Sequence, residues 1–247
     1  MIKSFFKEVG EYCLLMRKTF SRPDNWRMVL KQVPTEMVKL GVDSVGIILI
    51  ISVFMGVIMT MQVVLNTENP MLPRYTTGLM LRDTYLLEFS STIMCLLLAG
   101  KVGSNIASEI GSMRVSEQID AMEIMGVNSA NYLILPKIVS AVTLTPLLML
   151  LSFMVGLLGG AMIVILVGMI NLNQYVEGLH FAFKPFYIYY SMTKISVFGF
   201  IITSVAAFYG YYAKGGSLGV GRSSTKAIVI SSGLILVFNL VLTKLML

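Results

Sequence analysis

Charged residues inside otherwise apolar runs are the first candidates for chemistry in this chain. Glu88 and Lys194 lie well inside segments that are apolar enough to cross a membrane. An ionisable group is costly in lipid, so such residues usually face a cavity, line a substrate pathway or pair with each other. Two interpretations follow: a buried Glu88–Lys194 pair that joins two membrane helices, or a site on the path of a polar ligand.

A second cluster of charges lies in residues 99–126, a small-residue segment between two long apolar runs that we expect to face water. Ser116 is placed to cap a helix, acidic residues follow in its first turn, and Gly126 can end it in a left-handed conformation. These signals predict a short helix over 117–125. Its apolar edge consists of Ile119, Met122 and Met125, and its charged face of Glu117, Asp120 and Glu123.

The acidic character of this short helix favours a protein partner. A helix that lies on anionic lipid is normally basic. An ordinary connecting helix against the headgroups is the alternative, but an acidic face suits a groove in a soluble protein better.

Other chemistries find little support in the sequence. No G-x-x-x-x-G-K-[ST] phosphate loop occurs, so the chain does not hydrolyse ATP by that route. The glycines of 215–221 follow no predicted strand, which favours a tight turn over a phosphate cradle. His180 has no Cys, Asp or second His at ligand spacing, so no metal site is expected. With one histidine, an intramembrane enzyme is also disfavoured.

Membrane-spanning helices must position these residues. The chain is 56% hydrophobic and 13% charged, and its mean hydropathy is +0.80, outside the usual balance of a soluble domain. About 20 apolar residues are needed to cross the hydrocarbon core. The sequence predicts an all-α integral membrane protein with five spans. They are 45–65, 86–99 with an extension toward 110, 138–170, 186–213 and 227–243.

Two features of these spans bear on packing. The third is too long for one perpendicular helix, so it tilts, kinks near Pro146 or projects beyond the bilayer. Gly156 and Gly160 in the same span have the spacing that permits close helix approach, within the chain or at a face between two copies. In the first span, Met55, Met59, Met61 and Gln62 are candidates to line a cavity for acyl chains, or are simply core.

The distribution of Lys and Arg predicts the orientation. Fourteen of these residues precede the first span or lie in alternate loops on the same side, and four lie on the other side. Positive charge accumulates on the cytoplasmic side, so the N-terminus is predicted inside and the C-terminus periplasmic. The net charge of +6 fits this topology and attraction to anionic lipid, without a nucleic-acid partner.

The N-terminal segment, residues 1–44, reads as a cytoplasmic and interfacial helical part of a single permease domain whose bundle is 45–247. Apolar residues recur there every three or four positions, and Pro23 is expected to end the helix. This pattern predicts an amphipathic helix on the membrane surface; packing on a soluble partner is the alternative. The apolar stripe is Phe5, Val9, Tyr12, Cys13, Met16 and Phe20.

Two stretches carry a resemblance to a known family. The run AGKVGSNIASEIGSMRVSEQIDAMEIMGVNSANYLILP, residues 99–136, resembles the signature of the MlaE family, permease subunits of ABC transporters that move phospholipids and related lipids across the bacterial envelope. GGSLGVGRSSTKAIVISSGLILVFNLVLT, residues 215–243, matches as well. Together with the span pattern, the resemblance covers nearly the whole chain.

The resemblance implies partners and a location. It implies a homodimer in the bacterial inner membrane, a cytoplasmic ABC ATPase dimer, a periplasmic MCE-domain oligomer, a phospholipid substrate and, in some systems, a small accessory protein on the ATPase. This chain would bind no cofactor, since ATP and Mg²⁺ are used by the ATPase, and transport would maintain outer-membrane lipid asymmetry. The residues implied in ATPase coupling are Arg114, Glu117, Gln118, Asp120, Met122, Glu123 and Gly126. An ATP-independent channel or scaffold is the alternative function.

The chain departs from the family pattern at two positions inside spans. Leu87 stands where the pattern has Arg, and Asn239 where it often has Asp. The two losses together leave the net intramembrane charge unchanged, as if the two charges were partners that are lost jointly. This hypothesis requires the second and fifth spans to approach each other there. The residues expected on the lipid pathway are Glu88, Lys194, Leu87, Asn239, Met59 and Gln62.

Overall fold

The computed structural model describes residues 2–21, 26–67, 73–168 and 170–247, with backbone only for 2–5. Within these residues, five helical segments are long and apolar enough to cross a membrane, which confirms the all-α membrane fold. They are numbered spans 1 to 5 in chain order: Trp26–Asn66, Thr76–Val115, Ser129–Val167, Phe186–Tyr211 and Gly216–Met246.

The spans are assembled from α-helices joined in places by π-helical turns. In the described residues the α-helices are α1 (Ile2–Thr19), α2 (Trp26–Met37), α3 (Asp43–Asn66), α4 (Thr76–Thr84), α5 (Met94–Leu98), α6 (Ser104–Val115), α7 (Gln118–Ile124), α8 (Ser129–Val167), α9 (Leu172–His180), α10 (Phe186–Tyr211) and α11 (Gly216–Met246). The π-helical turns are Val38–Val42 in span 1, and Tyr85–Ile93 and Ala99–Gly103 in span 2.

The helices extend further than the apolar runs predict. Span 2 continues through α6, which confirms the predicted extension toward residue 110. The expectation of a water-facing segment is wrong for the buried side of this helix. Ile106, Ala107 and Ile110 of α6 are fully buried, and α6 packs against α10 and α11. Small residues let this helix lie close to its neighbours.

The third span is one unbroken helix, α8, of 39 residues. Both Pro136 and Pro146 lie inside it, so neither proline ends the helix. At 1.5 Å per residue it measures about 58 Å, roughly twice the hydrocarbon thickness. The span therefore projects beyond the bilayer, one of the three expected solutions.

Spans 1 and 3 approach at backbone distance. A Cβ added to Gly56 would stand 1.9 Å from the carbonyl oxygen of Gly156, so only glycine fits there. The hydroxyls of Ser52 and Ser152 are 2.7 Å apart across the same interface. A Cβ on Gly160 would meet the side chain of Thr60. These glycines therefore pack against helices of the same chain, and they do not lie at a face between two copies.

Span 4 lies at the centre, with α6, α8 and α11 around it. Its buried side chains include Tyr190, Ile195 and Phe198, all fully inaccessible. Lys194 is buried in the same helix at 0% exposure. The core of the bundle therefore surrounds the charged side chain of Lys194, which needs a partner nearby.

The N-terminal helix α1 packs partly on protein. Tyr12 donates a hydrogen bond to Ser204 in span 4 at 2.9 Å, and Leu15, absent from the predicted stripe, is 2% exposed. Val9 and Phe20 of the stripe remain exposed. One edge of α1 therefore lies on the bundle and the rest of the stripe is free for lipid. Pro23 and the side chain of Phe5 lie outside the described residues.

Two short helices that the apolar pattern missed, α4 and α9, pack together near the start of span 2. Arg82 of α4 is almost fully buried. Its guanidinium donates to the carbonyl oxygens of Leu179, at 2.9 Å, and Phe181, at 2.8 Å. Because these carbonyls end α9, the arginine holds the last turn of that helix in place.

Candidate functional site

The polar centre of the bundle consists of Glu88, Thr92, Lys194 and Asn239. Glu88 and Thr92 lie on the π-helical turn Tyr85–Ile93 of span 2, Lys194 on span 4 and Asn239 on span 5. Single π-helical turns occur often at functional sites, because the wider turn displaces side chains and frees carbonyl oxygens. The four side chains bring three spans together.

Lys194 is held by two acceptors from span 2. Its ammonium lies 3.0 Å from Glu88 Oε1 and 3.0 Å from the carbonyl oxygen of Leu87. The same ammonium stands 5.2 Å from the centre of the Tyr190 ring. The predicted pairing of Glu88 with Lys194 thus exists, and it joins spans 2 and 4.

The second oxygen of Glu88 faces span 5. Asn239 Nδ2 donates to Glu88 Oε2 at 3.2 Å, and Thr92 donates to the same oxygen at 3.1 Å. Thr92 is also 3.2 Å from Asn239 Oδ1. An aspartate at 239 would place a second carboxylate against Glu88, so an amide suits a site that lacks an arginine at 87. Spans 2 and 5 approach here, as the hypothesis of joint charge loss requires.

The two charges of the polar centre differ in exposure. The Lys194 side chain is fully buried, whereas the Glu88 side chain keeps 41% of its surface exposed. The Glu88 side chain is therefore partly open to a ligand, while the ammonium is committed to the protein. Such a site can accept hydrogen bonds from an ammonium or hydroxyl group.

The remaining residues expected on the lipid pathway do not join this centre. Met59 is buried in a small apolar cluster with Leu81, Val164 and Tyr175, and Gln62, one turn further along span 1, is exposed. Met55 instead lines an apolar cleft. Methionine spacing alone gave no signal for which of these side chains faces a cavity.

The short helix after span 2 is present as α7, with ends that differ from the prediction. It runs over Gln118–Ile124, and Glu117 precedes it in the left-handed conformation, with φ 61° and no side-chain cap. The hydroxyl of Ser116 donates back to Ser112 at 2.9 Å, so the expected N-cap at Ser116 is wrong. Gly126, with φ 79°, has the predicted left-handed conformation after the helix.

The apolar edge of α7 also differs from the prediction. Ile119 is fully buried and Met122 packs against the core, so these two residues anchor the helix. Met125 is 71% exposed, and Ile124, which the prediction left out, is 87% exposed. The apolar surface available to a partner is therefore Ile124 with Met125.

The acidic residues of α7 are largely engaged within the chain. Asp120 pairs with Arg114 at 2.6 Å. Glu123 accepts from Lys18 at 2.6 Å, from Tyr211 at 2.8 Å and from Ser129 at 3.0 Å. The hydrogen bond from Lys18, with those from Tyr211 and Ser129, lowers the pKa of Glu123 to about 2. Glu117 and Gln118 are the polar side chains left at the surface.

The sequence missed how α1 is tied to α7. Besides the Lys18–Glu123 ion pair, Asn128 donates to the carbonyl oxygen of Lys18 at 3.0 Å. Asn131 donates to the carbonyl oxygen of Thr19 at 2.7 Å. At the other end of α1, Glu8 pairs with Lys226 of span 5 at 2.8 Å. The interfacial helix thus links the surface that carries α7 to spans 4 and 5.

Comparison with known proteins identifies the family. The profile of the family described as "Permease MlaE" matches residues 33–245 of the chain. The chain belongs to the MlaE permease family. It is 34% identical over 220 residues to "Protein TRIGALACTOSYLDIACYLGLYCEROL 1, chloroplastic" of Arabidopsis thaliana, covering 89% of this chain and 61% of that protein.

Bacterial relatives carry the description "Probable ABC transporter permease protein". One from Rickettsia bellii is 37% identical over 158 residues, covering 64% of this chain and 61% of that protein. One from Rickettsia prowazekii is 30% identical over 246 residues, covering 98% of this chain and 93% of that protein. This MlaE permease thus spans 61% of the length of the Arabidopsis and R. bellii relatives and most of the R. prowazekii one.

This MlaE permease also contains an ionic cluster that the sequence did not reveal. Lys137 of α8 is 3% exposed; it pairs with Glu36 of α2 at 2.7 Å and with Glu109 of α6. Lys39 lies 3.4 Å from Glu109. The four charges tie spans 1, 2 and 3 together at one end of the bundle. Lys137 directly follows a proline at the edge of an apolar run, and no local pattern distinguishes it from an exposed loop lysine.

Proposed function

We propose that this chain is the membrane subunit of an ABC transporter that moves phospholipid between the bacterial inner membrane and an MCE-domain partner. Membership in the MlaE permease family supports the permease role. The name of the Arabidopsis relative, which is that of a glycolipid, supports a lipid as the substrate. The Lys and Arg distribution supports an N-terminus in the cytoplasm and a C-terminus in the periplasm.

The polar centre is the observation that carries the substrate proposal. A lipid passing through an apolar bundle has to bring its headgroup past the side chains that can solvate it. The half-exposed carboxylate of Glu88 can accept a hydrogen bond from an ammonium or hydroxyl of the headgroup. Lys194 holds that carboxylate in place through a hydrogen bond at 3.0 Å, and Asn239 adds a donor from a third span.

The ATPase docks, in this proposal, on the exposed end of α7. Ile124 and Met125 present an apolar knob beside the surface residues Glu117 and Gln118. A protruding apolar side chain flanked by polar ones is the usual anchor of a protein interface. Since Glu123 is bound to α1, motion imposed on α7 would reach spans 4 and 5 through that helix. A second copy of the chain completes the permease dimer, and the MCE oligomer contacts the periplasmic side, where α4 and α9 lie.

ATP-driven lipid exchange in proteoliposomes tests this function. The chain is co-reconstituted with its ATPase and MCE partners, and transfer of a fluorescent phospholipid is followed with and without ATP. Glu88→Gln and Lys194→Met should each lower the ATP-dependent rate at least tenfold while the complex still assembles. Thr193→Val, next to Lys194 on span 4, removes a hydroxyl that donates back to the carbonyl oxygen of Tyr189 in its own helix; it is the matched control and should transfer lipid normally.

Other outcomes would overturn the proposal. Normal transfer in both polar-centre variants would remove the polar centre from the lipid path. Transfer that proceeds equally without ATP would favour an ATP-independent channel, and assembly without any transfer would favour a scaffold.

A further inference from the structure

An apolar cleft runs along the flank of the bundle between α3 and α5. It is a shallow groove with mostly apolar walls. Ile47, Ile51 and Met55 of span 1 form one wall and Leu97 of span 2 lies on the other, and Lys101 stands at one end. Neither Glu88, Lys194 nor Asn239 lines it, so the α3–α5 cleft is separate from the polar centre.

The charged end of this cleft lies at a membrane boundary. Asp43 directly precedes the first apolar run and Lys101 directly follows the second. The Lys101 ammonium donates a hydrogen bond to the carbonyl oxygen of Asp43, which fixes both residues at the same depth. By the distribution of Lys and Arg, this is the cytoplasmic boundary.

The length of the cleft matches one leaflet. From Ile47 to Met55 the wall follows eight residues of helix, about 12 Å. One leaflet of a hydrocarbon core of about 30 Å is about 15 Å thick. The cleft therefore begins at headgroup depth with a cation and continues through the cytoplasmic leaflet with apolar walls.

We propose that the α3–α5 cleft binds a glycerophospholipid of the cytoplasmic leaflet. One acyl chain lies between Ile51, Met55 and Leu97, and the phosphate meets Lys101. A lysine ammonium has three donors; one is used by the Asp43 carbonyl, so two are free for phosphate oxygens. A cation at the end of an apolar cleft complements a molecule that has one anionic group at the end of an apolar chain.

The local backbone favours a binding role as well. The π-helical turns Val38–Val42 and Ala99–Gly103 both lie at the charged end of the cleft, and such turns are frequent at functional sites. Leu97 and Ile47 are exposed, so a lipid can enter sideways from the bilayer. The proposal rests on the cytoplasmic placement of Lys101. It does not rest on the transport proposal, which is argued from the residues of the polar centre.

Photocrosslinking with two lipid probes tests this site. The full-length protein is reconstituted with phosphatidylethanolamine that carries a diazirine on one acyl chain, or with diacylglycerol that carries the same group. Labelled residues are mapped by mass spectrometry after illumination. The phospholipid should label residues 47–55 and 97, and the diacylglycerol should label them at least fivefold less.

Substitutions then separate the phosphate contact from the acyl-chain contact. Lys101→Ala should reduce phospholipid labelling at least fivefold, Lys101→Arg should retain it, and Lys214→Ala, at another exposed lysine, should not change it. Ile51→Trp should fill the cleft and remove labelling there. Glu88→Gln should leave labelling intact, so a failure of the transport proposal would not affect this one.

Three results would overturn the proposal. One is absence of label in residues 47–55 and 97. Another is equal labelling by diacylglycerol with no effect of Lys101→Ala, which would show a nonspecific apolar surface. The last combines two observations: the cleft residues of the wild-type protein are not labelled, and Lys101→Ala or Ile51→Trp loses the dimer mass in light scattering. Together they would make the cleft a contact between two copies.

Discussion

The two side chains of the Glu88–Lys194 ion pair differ in how far they are exposed. Lys194 is fully buried, whereas Glu88 keeps contact with its surroundings over 41% of its side chain. Glu88→Gln therefore leaves a buried ammonium without a counter-charge and should cost about 3 kcal/mol of stability. Lys194→Met leaves a carboxylate that still accepts from Thr92 and Asn239, and should cost about 1 to 2 kcal/mol.

Thermal unfolding in detergent measures this order. We expect Glu88→Gln to have the lower midpoint of the two, and the double variant to be more stable than the sum of the single losses predicts. Equal midpoints, or additive losses, would mean that the two side chains do not stabilise each other.

The Lys18–Glu123 contact gives α1 a defined pH dependence. Glu123 has a folded-state pKa of about 2, below its ordinary value of 4.5. A lowered pKa means that the stabilisation is fully present above 4.5 and disappears as the pH falls through 2. Hydrogen exchange in residues 16–21, corrected for the intrinsic rate, should be constant from pH 7 to 5 and faster below pH 4.5.

Glu123→Gln isolates this contact from the Glu8–Lys226 pair at the other end of α1. The hydrogen bond from Lys226 also lowers the pKa of Glu8, so acid loosens both ends of the helix. The variant should exchange faster at residues 16–21 even at pH 7, without a further acid step there. An acid step of unchanged size in the variant would assign it to another group.

Sequence reasoning at this scale succeeds where a residue type is out of place in its surroundings. Glu88 and Lys194 were found because charges are rare in apolar runs. Lys18, Lys137 and Glu109 were missed as functional contacts because charges are common outside the apolar runs. Their partners lie more than twenty residues away in the chain, and no local pattern encodes such a distance.

Among the helices, the contact between spans 1 and 3 depends on Gly56. A methyl group there would overlap the backbone of Gly156, which cannot move without displacing a whole helix. Gly56→Ala should therefore lower the thermal midpoint by an amount equivalent to about 2 to 3 kcal/mol.

Gly46 on the same helix is the matched control, since a Cβ there meets nothing within 4 Å. Gly46→Ala should stabilise the protein by up to about 1 kcal/mol, because alanine favours the helical backbone. If both alanine variants behaved alike, the close approach of spans 1 and 3 would be wrong.

The two ends of α7 provide a further prediction for this element. Glu117 has a left-handed backbone, which costs a residue with a Cβ about 1 kcal/mol. Glu117→Gly should relieve this strain and raise the thermal midpoint. Gly126→Ala, at a left-handed position with open space around it, should lower the midpoint by a similar amount. A higher midpoint for Gly126→Ala would contradict the left-handed end of α7.

The elements were predictable to the extent that lipid imposes a simple rule. The five apolar runs correspond to five spans, because in lipid each segment must satisfy its backbone hydrogen bonds within a helix. The ends were not predictable, since α6 and the first part of α8 extend beyond the lipid and gain their burial from packing. The helices α4 and α9 were not predictable either, because their polar sequences resemble loops. The contacts of Arg82 that link the two helices exist only in the folded structure.

At the scale of the whole molecule, α1 connects three regions. Its C-terminal end binds α7 and the start of α8, its middle packs on span 4, and Glu8 reaches span 5. The polar centre is built from spans 2, 4 and 5. A displacement of α7 by a partner is therefore coupled, through α1, to two of the three spans that form the polar centre.

The most direct test of the proposed transporter role is native mass spectrometry of the protein co-expressed with its genomic neighbours and purified in mild detergent. The account predicts two copies of this chain with two ATPase subunits, an MCE oligomer and bound phospholipid. Ile124→Asp, at the exposed end of α7, should lose the ATPase and keep the dimer, whereas Gln118→Ala should keep both. An assembly that contains neither ATPase nor lipid would contradict the account.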